Sequence, residues 1–195
     1  MRDITVQVRQ LETNLIEHCE NFVYNYKRGY VARFNTGVKP LLVPVFWNAV
    51  FDGVIITDDE AVGKILRGKW EVSGMEDIAH KHTPVNILYG RCHNVYASLL
   101  RELDVCCKLL MLDPDGRVFK DIDKDVGEGR IDIIFRKSNG KILNLAIAHE
   151  GAGSLEHENR RKRQKEGNDV IKLTARCYKD NDIHLVPLKM IKAIL

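Results

Sequence analysis

Apolar residues recur with a helical spacing at the start of the chain. Val8, Leu11, Leu15, Ile16, Cys19, Phe22, Val23 and Tyr26 follow a 3.6-residue period, which predicts an amphipathic helix over residues 3–26. The pattern then loses its period. Across residues 27–57, Gly29, Gly37, Pro40, Pro44 and Gly53 punctuate short apolar runs such as LLVPVFW and GVIIT, and the segment reads as short strands or irregular core. Thr57 followed by Asp58, Asp59 and Glu60 has the form of a capping box, starting a helix that runs to about Arg67. Residues 68–84 are polar and contain Gly and Pro. They mark a boundary between a mostly helical N-terminal segment, 1–84, and a second part, 85–195.

The second part is more regular. Val95, Leu99, Leu100, Leu103, Cys106, Cys107, Leu110 and Met111 predict a strong helix over 92–112. Asp113-Pro114-Asp115-Gly116 is a turn by composition. Strands follow at 117–122, at 130–136 (RIDIIFR) and at 141–149 (KILNLAIAH). The last is the most apolar and is expected to be central. Ser138-Asn139-Gly140 between the latter two is a hairpin signal, because Asn-Gly tolerates positive φ. Residues 156–179 read as a long polar helix and 183–188 (IHLVPL) as a final strand. The fold class is therefore α/β, a mixed sheet flanked by helices.

Composition changes this picture little. The chain of 195 residues is 45% hydrophobic and 29% charged, ordinary for a folded domain. No run approaches the about 20 apolar residues that span a bilayer, and MRDITVQVRQLE has no apolar signal core, so neither membrane insertion nor secretion is expected. Cys19, Cys92, Cys106, Cys107 and Cys177 form no CxxC pair; they read as reduced thiols of an intracellular protein rather than as a zinc site. The net charge of +3 is more telling by location. Residues 155–180 hold eight Lys or Arg against five Asp or Glu, and the remainder balances at 22 against 22.

That basic window follows a pair of carboxylates. Asp132 lies within an otherwise apolar strand, where charge is depleted. Glu150 ends the next strand. A hairpin turning at 139–140 places position 132 roughly across from 147, so Asp132 and Glu150 become neighbours at one sheet end. Two such carboxylates need a cation or a shared proton, and Mg²⁺ (or Mn²⁺) is the usual solution. On a helix, Lys165, Asp169, Lys172 and Arg176 share one face. Upstream, Arg160, Arg161, Lys162, Arg163 and Lys165 form a cluster suited to a phosphate backbone.

These elements resemble the PD-(D/E)XK, or restriction-endonuclease-like, nuclease superfamily over about residues 92–188. The resemblance implies an αβββαβ core. In it, Asp132 of GRID (129–132) is the metal-binding Asp, Glu150 the Glu of E-x-K, and Glu102 an accessory acid on the first helix. Ala152 stands where the lysine belongs. Lysines migrate to the next helix in some members, and Lys162, Lys165 and Lys172 are the substitutes. A second resemblance, through RIDIIF, NLAIAHEGAG and KEGNDVIKLTARCYKD, is to a group of fungal proteins of the Mucoromycota. Their related region reads K-V-D, then E-x-S-G, then K-x-x-x-D-x-x-K-L, the last matched by Lys165, Asp169, Lys172 and Leu173. Those proteins generally continue beyond KMIKAIL, which on this resemblance implies a truncated or minimal copy.

Plainer readings stand beside each feature. Asp132 and Glu150 also read as strand-end carboxylates in ion pairs, and the Lys165–Lys172 face as a solvated one. The run RRKRQK also reads as a solvated face or a nuclear import signal, so localisation is nuclear or cytoplasmic. Asp121, Asp123 and Asp125 mimic a calcium loop, but Val126 replaces its required Gly, and an acidic turn is the better reading. His80, His82 and His93 read as surface loop. His149 alternates with Ile147, which predicts a buried, satisfied side chain, with acid–base chemistry beside Glu150 as the alternative. Phe46, Trp47, Phe51 and Trp70 read as N-terminal core. Serine-hydrolase, Walker, Rossmann and HExxH motifs are absent. The leading expectation is Mg²⁺-dependent phosphodiester hydrolysis of DNA or RNA. The competing one is a non-catalytic module of the same fold that binds nucleic acid or protein; oligomeric state is left open.

Overall fold

The computed structural model describes residues 1–22, 35–67, 85–122, 131–149, 170–178 and 181–195. A six-stranded mixed sheet carries the strands in sequence order. They are β1 (Arg2–Asp3), β2 (Arg117–Lys120), β3 (Ile133–Arg136), β4 (Ile142–His149), β5 (Val170–Tyr178) and β6 (Asn181–Leu185). Neighbours are antiparallel except β4 and β5, which are parallel. The helices are α1 (Thr5–Glu20), α2 (Asn35–Phe51), α3 (Asp58–Arg67), α4 (Val85–Leu112) and α5 (Leu188–Lys192).

Helix α4 organises the packing. Cys92, Tyr96, Leu99, Leu103, Cys106 and Leu110 make a continuous buried stripe, and α4 touches α1, α2, α3, α5, β2, β3 and β6. Opposite it lies one face of the sheet. Val118 pairs with Phe135 and Phe135 with Leu143, while Ile133 pairs with Leu145, and all five are buried. The alternate positions Arg117 and Arg136 are exposed on the other face. One cluster of buried residues runs from Ile4 and Val8 through Trp47 and Leu103 to Ile191, spanning both sides of residue 84.

Local chemistry accounts for the boundaries. At α1, Asp3 Oδ1 accepts from both Thr5 N and Thr5 Oγ1, at 3.0 and 2.7 Å. The expected capping box is present at α3. Thr57 N donates to Glu60 Oε2 at 2.8 Å, and Glu60 N donates to Thr57 Oγ1 at 3.2 Å. The β3–β4 turn is also as expected. Gly140 N donates to Lys137 O, Lys137 N donates to Lys141 O, and Gly140 has φ of +86°. The turn is closed by a glycine in the left-handed conformation.

Two expectations are corrected. Residues 35–51, read as short strands or irregular core, form helix α2 despite Pro40 and Pro44. An interior proline costs about 3 kcal/mol, but Leu42, Val43, Phe46, Trp47, Ala49, Val50 and Phe51 are all buried, and that burial outweighs it. Residues 170–178, read as the end of a long helix, form strand β5. The rest of that predicted helix, 156–169, lies outside the described residues, as do 68–84 with Trp70, His80 and His82. Ile16 and Met111, placed on apolar helix faces, are 55% and 52% exposed. Among the described residues no helix is long and apolar enough to cross a membrane.

Gly116 shows how tight the sheet–helix junction is. A Cβ there would lie 2.4 Å from the Phe135 ring, and Phe135 is fully buried. Gly116→Ala is expected to destabilise the fold by about 1–3 kcal/mol, measured as a lower urea midpoint at unchanged m value. An unchanged midpoint would show that the ring yields freely.

Candidate functional site

Asp132 occupies the point where β3 meets β4. The strand begins one residue later, at Ile133, so Asp132 is its threshold residue rather than an interior one. Its backbone N donates to Leu145 O at 2.9 Å. Its carboxylate Oδ2 accepts from the Ile147 backbone N at 2.6 Å. The carboxylate thus replaces a strand carbonyl as the acceptor for the next inward-pointing amide of β4. That contact agrees with the expected placement of position 132 across from 147. Asp132 is buried, with 8% of its surface exposed.

Behind Asp132 sits a buried ion pair. Lys120 Nζ donates to Glu102 Oε2 and to the Asp132 backbone carbonyl, each at 2.7 Å. The ammonium also lies 4.4 Å from the centre of the Trp47 ring. Lys120 is 1% exposed and Glu102 3%. Sequence reasoning passed over Lys120, though a signal was present. Alternation puts it on the Val118 face of β2, which is the buried one, and Glu102 falls on the buried stripe of α4. A lysine and a glutamate that both point inward are rarely left unpaired.

The other expected site residues divide in two. Lys172 stands on β5, not on a helix; this corrects its helical placement beside Lys165 and Asp169. Its register partner is Ala146 of β4, so Asp132 and Lys172 flank the Ala146–Ile147 step of β4 from opposite sides. Glu102 faces Lys120. Glu150, Arg160, Arg161, Lys162, Arg163 and Lys165 lie outside the described residues. His149 ends β4 opposite Ala175, and its side chain is likewise outside the description. Among the described residues no three His, Cys, Asp or Glu side chains gather as a metal-ligand group.

A second polar cluster joins the helices. His93 was expected in a surface loop; it is instead a buried residue of α4. Its Nδ1 donates to Asp58 Oδ2 at 2.5 Å, and its ring stacks on Phe22 with centroids 4.4 Å apart. Nearby, His18 Nδ1 and the Tyr96 hydroxyl share a 3.1 Å hydrogen bond. Burial lowers the His18 pKa. Among the described residues the thiols are poor nucleophiles: burial pushes Cys19, Cys92 and Cys107 up to about 12, and Cys106 well above its ordinary value.

Compared with protein-family models, curated proteins and solved structures, the chain matches none.

The Asp58–His93 contact gives a pH test. The hydrogen bond from His93 holds the Asp58 carboxyl below its ordinary 3.8, against the opposing effect of burial. A depressed carboxyl adds stability that is full above its ordinary pKa and is lost as pH falls through the folded value. Asp58→Asn is expected to cost about 1 kcal/mol near pH 7 and to flatten the acid limb below about pH 4. Urea midpoints measured across that range in both proteins check it.

Proposed function

We propose that the chain is a metal-dependent phosphodiesterase acting on DNA or RNA, built on a PD-(D/E)XK-type core. The observation that carries this reading is the anchoring of the Asp132 carboxylate on Ile147 N, three residues before Glu150 on the adjoining strand. The order of elements supports it. Helix α4 leads into the antiparallel β2–β3–β4, and the next strand, β5, returns parallel to β4. A parallel pair needs a crossover connection, and residues 150–169 separate these two strands.

In this reading Asp132 and Glu150 hold Mg²⁺ or Mn²⁺. The donor set fits: both ligands are carboxylates, and Mg²⁺ takes one or two of these with water. When bound, the ion supplies charge to the phosphoryl oxygens and acidifies a water. Lys172, beside Ala146, replaces the cation missing at Ala152, with Lys165 as the other substitute. Arg160–Lys165 engage the phosphate backbone. Glu102 contributes from behind, through Lys120, rather than as a ligand.

A second reading, a non-catalytic nucleic-acid- or protein-binding module, is favoured by Ala152 and by the structural bond that Asp132 already makes. Asparagine separates the two, because it keeps an acceptor for Ile147 N but discards the charge. Asp132→Asn is expected to fold with stability within about 1 kcal/mol of the parent. Its cleavage of plasmid DNA or single-stranded RNA should fall at least about 100-fold, or about 2.7 kcal/mol in the barrier. Glu150→Ala should fall likewise. If the parent cleaves neither substrate with Mg²⁺ or Mn²⁺ but binds them with steep salt dependence, the binding module is the correct reading.

A further inference from the structure

We infer that Glu102 and Lys120 are a buried positioning pair, which sets the Asp132 carboxylate on β4 by gripping the Asp132 main chain from inside the core. The consequence for metal binding rests on the phosphodiesterase reading above; the positioning itself does not.

Stability gives no sufficient reason for the pair. With side chains 1% and 4% exposed, both ions have lost their hydration. Buried ion pairs of this kind are commonly no more stable than apolar replacements of similar volume. The packing around it also carries a cost. The Trp47 indole presents its face to the ammonium, and its Nε1–H is buried with no acceptor among the described residues. A buried unpaired donor costs about 1–3 kcal/mol.

What an apolar pair would not supply is the second bond of Lys120. An ammonium has three donors, and Glu102 takes one. Another reaches the Asp132 carbonyl. With it, Asp132 is fixed at three atoms. Its N is held by Leu145 O, its O by Lys120 Nζ and its Oδ2 by Ile147 N. The β2, α2 and α4 elements thereby meet at Lys120, which holds the residue at the start of β3. At 1% exposure Lys120 cannot touch a substrate, so its part here is to hold Asp132. A catalytic group must be held within about 0.5 Å to work, and Asp132 lies at a strand end, where the ladder alone gives least support.

The test replaces both charges at once, Lys120→Met with Glu102→Leu, so that no lone ion is buried. The readouts are amide hydrogen exchange of the β4 residues and Mn²⁺ titration. The double variant is expected to fold and to keep Leu143 and Leu145 protected. Ile147 N–H should exchange at least about tenfold faster, and Mn²⁺ binding should weaken at least about tenfold. Unchanged Ile147 protection in the folded double variant overturns the inference. If the double variant does not fold, the near-isosteric Glu102→Gln is measured by the same exchange: selective acceleration at Ile147 supports the positioning role, and none overturns it. A parent protein that binds no Mn²⁺ and cleaves nothing defeats the phosphodiesterase reading alone, because Ile147 exchange still decides the positioning.

Discussion

The register of β3 against β4 is the constraint on which the rest of the sheet depends. It is set by the turn at Lys137–Lys141, where Gly140 takes a left-handed conformation with φ of +86°. From that turn, Phe135 falls opposite Leu143 and Ile133 opposite Leu145, so that four apolar side chains are buried on one face of the sheet. A slip of one residue would turn the apolar set outward. The same register delivers Asp132 to the Ile147 amide, since the last backbone bond runs from Asp132 N to Leu145 O and the next amide facing β3 needs an acceptor. Core packing and site placement are thus two results of one turn.

Where the sequence was legible, a local signal and the tertiary demand agreed. The capping box at Thr57–Glu60 and the Asn139-Gly140 turn are examples, since each satisfies named backbone groups within a few residues. Helix α2 was illegible because its apolar residues surround the axis. Such a run has no period to read, and Pro40 and Pro44 pointed away from helix. Strand β5 was misread for a different reason. Lys165, Asp169, Lys172 and Arg176 fit a helical face, but VIKLTARCY also alternates, with Ile171, Leu173, Ala175 and Cys177 on one side. Leu173 and Ala175 are buried while Lys172 and Thr174 are half-buried, which is the strand pattern. Val170, Ile171 and Thr174 are β-branched and favour that outcome.

The candidate site was legible in part. Asp132 stood out because charge is unusual beside a strand of isoleucines, and the hairpin arithmetic carried it to the correct partner region. The residues behind it did not stand out. Glu102 drew notice only by resemblance, and Lys120 drew none, because each looks like an ordinary surface charge until the helix stripe and the strand alternation are superimposed. Their pairing is a tertiary fact, joining α4 to β2.

Two of the described polar clusters differ in their chemistry. In the helix cluster, His93 is stacked on Phe22 and bonded to the start of α3, His18 holds its proton less readily through burial, and the neighbouring thiols stay protonated. Those contacts fasten helices together. At the sheet end the arrangement is reversed. The buried cation is turned inward onto Glu102 and a carbonyl, while the carboxylate of Asp132, itself buried, closes the strand end on the Ile147 amide. A purely structural cap would need neither a charge nor an ion pair behind it, because asparagine also accepts a hydrogen bond from an amide. What the buried pair adds at this sheet end, and an apolar pair of the same volume would not, is the hydrogen bond from Lys120 to the Asp132 carbonyl.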